Sequence, residues 1–311
     1  MISIVVCSKQ KILSEIFSEN IRRTIGLEFE IISIDNSENK FSIFEAYNQG
    51  WKQTRFDYVC FVHEDVHFNS QNWGENVIRH LQNPETGICG LAGGPLVTHI
   101  PASWKNKYQS VNIIQADYRK NKSERLVRLP HDFNGVSKEV ILLDGVFLCL
   151  RRNLNSIIQF DESFSGFHVY DLDICLQSFT SGFKNYVIFD LSLTHFSKGN
   201  RDKIYFKNLI MLYKKWETEL PLSIDYLNTD KSLQIKEIET KQLFKLFYKL
   251  VNRQFSTIEI INEITYFSQQ SRLNYFLKSR FVIRIFIYLT KIYSLPVHFF
   301  QKIRTENIVK F

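Results

Sequence analysis

The chain has 311 residues, of which 44% are hydrophobic and 23% are charged, as is typical of a globular protein. Its 12 glycines and 6 prolines are too few for a disordered or fibrous chain. The formal net charge of +7 is concentrated near the C-terminus, because residues 241–311 hold 12 lysines and arginines but 3 acidic residues. The longest nearly apolar run, Phe281 to Leu289, is too short to span a bilayer, so we expect no membrane-spanning helix.

The five cysteines show neither a metal-binding nor a pairing pattern. No CxxC pair is present, which argues against zinc bound by thiolates. Cys7, Cys60 and Cys149 lie in apolar runs typical of strands, and an odd count without a pairing logic indicates a reducing compartment. Residues 1–7 are typical of a strand rather than a signal peptide, so we expect a cytoplasmic protein.

The first part of the chain alternates between strand and helix patterns. Apolar, β-branched runs predict strands at 2–7, 29–34 and 58–62. Apolar residues at helical spacing predict helices at 11–25 and 41–54. This β-α-β-α-β order predicts a parallel sheet with helices packed against it.

The remaining segments predict more strands, followed by helices. The predicted elements, in order, are a helix at 73–81, a strand entering a loop at 89–95, strands at 140–143 and 147–150, a helix at 174–180, a strand at 186–193, and helices at 203–216, 240–253 and 257–293. Residues 100–139 are polar and irregular in pattern, and no regular element is predicted there. We therefore predict a catalytic domain over 1–220 and a basic, aromatic helical extension over 221–311.

Polar side chains follow several predicted strands. The sequence His63-Glu64-Asp65 comes directly after the third strand, and His195 follows the last strand. In open α/β sheets, ligands bind at the carboxyl ends of strands. Unpaired charge at the edge of a core destabilises by several kcal/mol, so a ligand or a cation is expected there. Taken singly, His195 can also be an ordinary loop histidine.

The ordered set of motifs over residues 2–200 resembles a bacterial inverting glycosyltransferase of the family 2 type. The matching segments are VVCS, IDNS, AYNQGW, FVHEDV, LLDGVFLCLRR, FDESFSGFHVYDLDICL and THFSKGN. The resemblance implies a GT-A (Rossmann-like) α/β fold, with a mostly parallel sheet flanked by helices and a helical C-terminal extension. It also implies an enzyme that moves a sugar from a nucleoside diphosphate donor, expected to be a UDP-sugar, to a hydroxyl acceptor in bacterial surface glycan synthesis.

The resemblance also implies a metal site. His63-Glu64-Asp65 occupies the position of the family's Asp-x-Asp motif, with His in place of the first Asp. Asp65 is then the main ligand of Mn²⁺ or Mg²⁺, with His63 and His195 as further ligands. A histidine favours manganese over magnesium, because imidazole binds transition ions better. This departure from the motif leaves open an enzyme with a weak metal requirement or none.

The catalytic base and the donor pocket follow from the same resemblance. Asp171 aligns with the family's base, which removes a proton from the acceptor hydroxyl. The acid that precedes the base in the family is replaced here by Tyr170. The donor-binding residues that the resemblance implies are Cys7, Ser8, Asp35, Asn48, Glu64, Asp144 and Gly145.

The C-terminal extension has basic amphipathic patterns over residues 240–300. Such helices bind anionic membrane surfaces, which favours a peripheral contact at the inner face of the plasma membrane and a glycan or lipid-linked acceptor. The alternative is that the helices pack on the catalytic domain or on a second subunit of a homo-oligomer. Nucleic-acid binding is not expected, since the sequence contains no recognised binding module.

Two other functions compete with glycosyl transfer. A sugar-phosphate nucleotidyltransferase predicts a Gly-rich loop after the first strand, but Ser8-Lys9-Gln10-Lys11 contains no glycine. A non-catalytic module of the same fold, binding a nucleotide sugar or a membrane, is compatible with the departures at His63 and Tyr170. A thermal-shift screen with nucleoside diphosphates, with and without Mn²⁺, separates this last alternative from an enzyme.

Overall fold

The computed structural model describes residues 1–117, 122–128, 133, 135–196, 201–224, 231–271, 283–285, 287 and 288. The described chain divides into two compact units. The first comprises Met1–Val97 and Ser103–Asn200, and the second comprises Thr98–Ala102 and the described residues from Arg201 onward. The boundary predicted at 220 lies inside the second unit, and the catalytic role assigned to residues 1–220 stays a prediction.

The first unit contains most of the strands. Its helices are α1 (Glu15–Thr24), α2 (Ile43–Gln53), α3 (Trp73–Leu81) and α4 (Tyr170–Thr180), with a 3₁₀ turn at Arg152–Ser156. Its strands are β1 (Ile2–Ser8), β2 (Phe29–Asp35), β3 (Tyr58–Val62), β4 (Val66–Phe68), β5 (Thr86–Gly90), β6 (Ala92–Gly94), β7 (Leu96–Val97), β8 (Ser110–Asp117), β9 (Lys122–Arg128), β10 (Ser137–Val140), β11 (Leu142–Leu143), β12 (Phe147–Arg151), β13 (Lys184–Ile188) and β14 (Leu193–His195).

Within the described residues, seven strands form the main sheet in the order β10-β13-β5-β12-β3-β1-β2. Strand β1 pairs in parallel with β2 and β3, as the β-α-β-α-β pattern predicted. Strand β12 lies between β3 and β5 and runs antiparallel to both. The predicted α/β fold is therefore confirmed. The parallel pairing brings the carboxyl ends of β1, β2 and β3 to one edge, where Ser8 lies opposite Asp35.

A second sheet of the same unit has the order β11-β6-β8-β14-β4, with β9 paired to β8. The prediction that residues 100–139 lack regular structure is wrong, because β8, β9 and the start of β10 lie there. Their strand pattern is weak in the sequence, since charged residues interrupt the alternation in segments such as KSERLVR. Hydrogen bonds to neighbouring strands, rather than local preference, place these segments in the sheet.

Helix α2 shows how local sequence positions the first unit's core. Ser42 and Glu45 form a capping box that fixes the start of the helix. Gly50 then lies directly against Val5 of β1, where a Cβ atom would be 2.3 Å from a Val5 methyl carbon. The helix therefore packs closely on the sheet and buries Tyr47 in the core.

The structure corrects the interpretation of the cysteines. Cys60 of β3 and Cys149 of β12 are directly opposed in the antiparallel pair, with Cα atoms 4.2 Å apart, and they form a disulfide. The view that the cysteines lack a pairing logic is wrong for these two, because the antiparallel insertion of β12 was not visible in the sequence. The cysteine content therefore no longer supports a reducing compartment, and the cytoplasmic location stays a prediction.

The second unit is largely helical. It contains α5 (Lys203–Lys215), β15 (Leu222–Ser223), α6 (Lys231–Asn252) and α7 (Thr257–Gln270). The helices predicted at 203–216 and 240–253 are confirmed, and most of the predicted helix beyond Gln270 lies outside the described residues. Apolar side chains of α6 and α7, including Leu250 and Ile264, are buried. Within the described part of the chain, no helix combines the length and apolarity needed to cross a membrane.

Asn185 is a buried polar side chain that connects several elements of the first unit. It is fully buried, and its amide donates to the carbonyl oxygens of Ile141 and Cys175. Its side-chain oxygen accepts hydrogen bonds from the Ile88 N–H and the Ser178 hydroxyl. Four polar groups of the interior therefore share hydrogen bonds with this one side chain.

We predict that Asn185→Leu lowers the free energy of unfolding by roughly 3–6 kcal/mol, because each buried group left without a partner costs about 1–3 kcal/mol. Denaturant titration measures the change. Asn155→Leu, at an exposed position, is the control and should change stability by less than about 0.5 kcal/mol. Equal effects of the two substitutions would contradict the role of Asn185.

Candidate active site

A cluster of ligand-type side chains lies where β3 and β14 end. His63 directly follows β3, and its N–H donates to the carbonyl oxygen of Val146. Strand β14 pairs antiparallel with β4 so that His195 lies opposite Val66. The N–H of Phe196 also donates to the Asp65 carbonyl oxygen. Two chain segments about 130 residues apart in sequence therefore place His63, Asp65 and His195 together.

The side chains of these three residues converge on one point. Asp65 Oδ1 lies 3.9 Å from His63 Nδ1 and 3.5 Å from His195 Nε2. One ligand atom from each residue lies within 4.8 Å of the others. Burial and the neighbouring His195 ring lower the pKa of His63, which favours the neutral imidazole that binds metals. This set of two nitrogens and one carboxylate oxygen fits a single divalent transition ion.

Glu64, in the middle of the motif, faces the end of β1 instead. Its carboxylate accepts hydrogen bonds from the Ser8 hydroxyl at 2.6 Å and from the Lys9 N–H at 3.1 Å. Cys7 lies beside this pair, and burial raises the pKa of its thiol to about 11. Cys7, Ser8 and Glu64 are thus neighbours at the carboxyl ends of β1 and β3, as predicted for a donor pocket, and their role in donor binding stays a prediction.

Asp35 and Asn48, two other predicted donor-binding residues, have different surroundings. The Asp35 carboxylate accepts the Ser37 N–H, which lowers the pKa of Asp35, and it lies at the exposed end of β2 opposite Ser8. The Asn48 amide instead bonds to both backbone groups of Phe160 and to Glu162. Asn48 therefore holds the segment at 160–162 against α2, and nothing described joins it to the cluster.

The predicted base Asp171 lies in the first turn of α4, next to the turn of Asp144 and Gly145. The Gly145 N–H donates to Asp171 Oδ2 at 3.0 Å. Burial and the nearby Asp144 carboxylate raise the pKa of Asp171 to about 7. Asp144 in turn accepts the indole N–H of Trp104, in a segment that the sequence analysis left without structure. Asp171 thus has the pKa of a base that works near neutral pH.

Tyr170, the residue before the predicted base Asp171, contacts His63. Its hydroxyl lies 2.7 Å from His63 Nε2 and donates to the Gly145 carbonyl oxygen at 3.0 Å. Its ring packs against Tyr47 and Phe160 in the aromatic core. In the sequence, Tyr170 is visible only as a departure from a motif. Since its position in the chain gives no sign of the distant partner His63, the contact became visible only in the fold.

The backbone before Tyr170 is in an unusual conformation. Val169 has φ of +65° and ψ of 0°, a left-handed conformation that β-branched residues rarely adopt. Such a conformation costs roughly 1–3 kcal/mol and persists where surrounding contacts enforce it. Here it starts α4 so that Tyr170 and Asp171 enter the site from consecutive positions. The arrangement places a carboxylate of raised pKa near three side chains of metal-ligand type.

Comparison with known sequences gives a family match. Residues 3–208 match the family described as glycosyltransferase like family. A curated protein of Fuscovulum blasticum, described as ATP synthase subunits region ORF 6, is 28% identical over 195 residues. That alignment covers 60% of this chain and 72% of the relative.

Comparison with solved structures gives the fold. TarS residues 1–349 from S. aureus, in complex with UDP-GlcNAc, has a TM-score of 0.56 at 13% identity, covering 94% of this chain and 91% of that one. GalNAc-T7 with UDP, GalNAc and Mn²⁺ has a TM-score of 0.51 at 11% identity. The superposition covers 95% of this chain and 58% of that one. At these identities the likeness shows a shared GT-A fold. Because the family match covers about two thirds of the sequence, the chain belongs to the glycosyltransferase-like family of enzymes.

Proposed function

We propose that this enzyme transfers a sugar from a UDP-sugar to a hydroxyl of a surface-glycan acceptor, with inversion at the anomeric carbon. The observation that supports this most directly is the state of Asp171. It is a half-buried carboxylate with a pKa of about 7 that accepts the Gly145 N–H, and the adjacent residue Tyr170 contacts His63. A single base beside a site for a diphosphate is what an inverting transfer needs.

The proposed step uses Asp171 to activate the acceptor. The Asp171 carboxylate takes the proton of the acceptor hydroxyl while the acceptor oxygen forms a bond to the anomeric carbon. The bond between that carbon and the diphosphate oxygen breaks on the opposite face, and UDP leaves with the electron pair. Asp144, which accepts the Trp104 indole N–H and the Val146 N–H, places its carboxylate charge beside the base. That charge makes Asp171 a stronger base.

The donor is proposed to lie along the ends of β1, β2 and β3. Asp35 offers an exposed carboxylate to uracil or ribose groups, which supports UDP as the nucleotide. His63, Asp65 and His195 would hold a divalent cation, proposed to be Mn²⁺, which when bound neutralises charge on the diphosphate. The Mn²⁺ and UDP of the GalNAc-T7 complex and the UDP-GlcNAc of the TarS complex support both assignments.

The second unit supports a proposed contact with an anionic membrane surface that carries a lipid-linked acceptor. In α6 the apolar residues Leu243, Leu246 and Leu250 are buried, so any contact would use the basic face rather than an inserted apolar face. Lys241 and Lys245 of that helix are exposed. Electrostatic attraction contributes about 1 kcal/mol per basic residue near an anionic surface.

We predict that Asp171→Asn lowers kcat by a factor of about 100 or more, because general base catalysis contributes this much. In the wild type, kcat/KM should fall tenfold per pH unit below about pH 7, where Asp171 becomes protonated. Release of UDP with a panel of UDP-sugars and Mn²⁺ measures both effects. A variant with near-wild-type rates would exclude Asp171 as the base.

The melting temperature separates this effect from misfolding. A carboxyl with a raised pKa destabilises the folded protein increasingly as pH rises from its unfolded pKa toward about 7. Asp171→Asn removes this cost, so the variant should melt no lower than the wild type at pH 8. A large drop in melting temperature would attribute the loss of rate to unfolding instead.

We predict that Asp65→Ala and His195→Ala each weaken Mn²⁺ binding by at least about tenfold, since even residues that only support metal ligands contribute this much. Isothermal titration calorimetry of the chelator-treated protein measures the affinity. His67→Ala is the matched control, because His67 is exposed on β4 two positions from Asp65. Unchanged affinity in both ligand variants would refute the proposed metal site.

We predict that replacing Lys241 and Lys245 by glutamate lowers the fraction of protein that sediments with vesicles containing anionic phospholipid by at least about fivefold. Neutral phosphatidylcholine vesicles are the control and should bind both forms weakly. The substituted protein should keep its rate of glycosyl transfer to soluble acceptors. Equal sedimentation of the wild type with neutral and anionic vesicles would argue against the membrane contact.

A further inference from the structure

The hydroxyl of Tyr170 lies between a backbone carbonyl and an imidazole. It is 3.0 Å from the Gly145 carbonyl oxygen and 2.7 Å from His63 Nε2. The ring is buried and cannot move away easily, because Tyr47 and Phe160 pack against it and Gly145 lies under it. A Cβ atom at position 145 would be 2.2 Å from the phenol oxygen.

The chemistry of these partners determines where the protons lie. A carbonyl oxygen only accepts, so the single hydroxyl proton of Tyr170 points to Gly145. The phenol oxygen then faces His63 with a lone pair, and Nε2 must carry the proton of that hydrogen bond.

A neutral imidazole with its proton on Nε2 has a free lone pair on Nδ1. His63 Nδ1 is the ring nitrogen that faces Asp65 Oδ1, at 3.9 Å. The other two converging atoms, Asp65 Oδ1 and His195 Nε2, are 3.5 Å apart. The hydrogen bond from Nε2 to Tyr170 therefore leaves the lone pair on His63 Nδ1, the ring nitrogen that faces the other two ligand-type side chains.

We propose that Tyr170 is a positioning residue that fixes His63 in the Nε2–H tautomer and so presents Nδ1 as a ligand atom for a divalent transition ion. The presence of a cation at this site rests on the proposed function, whereas the assignment of the His63 tautomer does not. A hydrogen bond to the far nitrogen of a metal-binding histidine orients the ring in this way in many metal sites.

The contact joins His63 and Tyr170, the two positions that differ from the expected motifs. His63 and Tyr170, which stand where carboxylates were expected, touch each other in the fold. A neutral imidazole, which is itself one of the three ligand-type side chains, and a neutral phenol thus stand where two carboxylates were expected. A site with fewer carboxylates and more imidazole nitrogen favours transition ions over Mg²⁺.

The first test measures the tautomer without any metal. In the full chain labelled with ¹⁵N-histidine and treated with chelator, long-range ¹H–¹⁵N spectra at pH 8 distinguish Nε2–H from Nδ1–H rings, and His63→Gln identifies the signal. We expect His63 as the Nε2–H tautomer in the wild type and a mixture of tautomers in Tyr170→Phe. A wild-type Nδ1–H ring, or an unchanged ring in Tyr170→Phe, would overturn the proposal.

The second test measures Mn²⁺ and Mg²⁺ affinity by calorimetry with the metal alone. Tyr170→Phe should weaken Mn²⁺ binding by about 10–100-fold and leave weak Mg²⁺ binding almost unchanged. Tyr213→Phe is the control, because the buried Tyr213 also donates to a backbone carbonyl, that of Ala102, and should have no effect. In a His63→Ala background, Tyr170→Phe should have no further effect, since Tyr170 acts through His63.

The two tests separate this inference from the proposed function. An equal loss of Mn²⁺ affinity from Tyr170→Phe with His63 present and absent would show a general structural role and overturn the positioning role. If the wild type shows the Nε2–H tautomer but does not release UDP from any UDP-sugar, the proposed function fails while the tautomer assignment stands.

Discussion

The contact between the Tyr170 ring and Gly145 holds the two halves of the candidate active site together. Gly145 donates its N–H to Asp171 and accepts the Tyr170 hydroxyl at its carbonyl oxygen, so both side chains are hydrogen-bonded to one residue. A side chain at position 145 would occupy the place of the phenol. The same phenol reaches His63. The separation between the proposed base Asp171 and the proposed metal ligand His63 is therefore fixed by packing in the core, which is rigid, rather than by a surface loop.

The electrostatics of the site follow from this burial. Asp171 and His63 lie in positions where charge is poorly solvated, which raises the pKa of the acid and lowers that of the imidazole. Asp171 can then exchange a proton near neutral pH, and the neutral form of the His63 imidazole is favoured. The left-handed conformation of Val169 shows that the fold tolerates local strain to deliver Tyr170 and Asp171 at this point.

Much of the fold could be predicted because its first half has strong local patterns. The alternation of apolar strands and amphipathic helices over residues 2–62 predicted parallel pairing, and this pairing alone brings Ser8, Asp35 and His63 to one edge. Strands β8 and β9 were missed because charged side chains mask their alternation, so only pairing reveals them. The antiparallel entry of β12, and with it the Cys60–Cys149 disulfide, depends on long-range topology that a local pattern does not contain.

The candidate site also contains some residues that could be predicted from the sequence and others that could not. His63, Asp65 and His195 could be proposed from strand ends and motif order, and the structure brings all three together. Asn48 bonds to the segment at 160–162, and its role in donor binding stays a prediction. The roles of Tyr170 and Trp104 could not be predicted, since each depends on a partner 40 or more residues away.

The anomeric configuration of the first product tests the account most directly. With α-linked UDP-sugars and Mn²⁺, ¹H NMR during the first minutes of donor turnover, to acceptor or to water, reports the configuration before mutarotation. A single base at Asp171 predicts that the sugar first appears as the β-anomer, since attack comes from the face opposite the diphosphate. Initial release of the α-anomer would contradict the inverting mechanism and the role of Asp171 as its base.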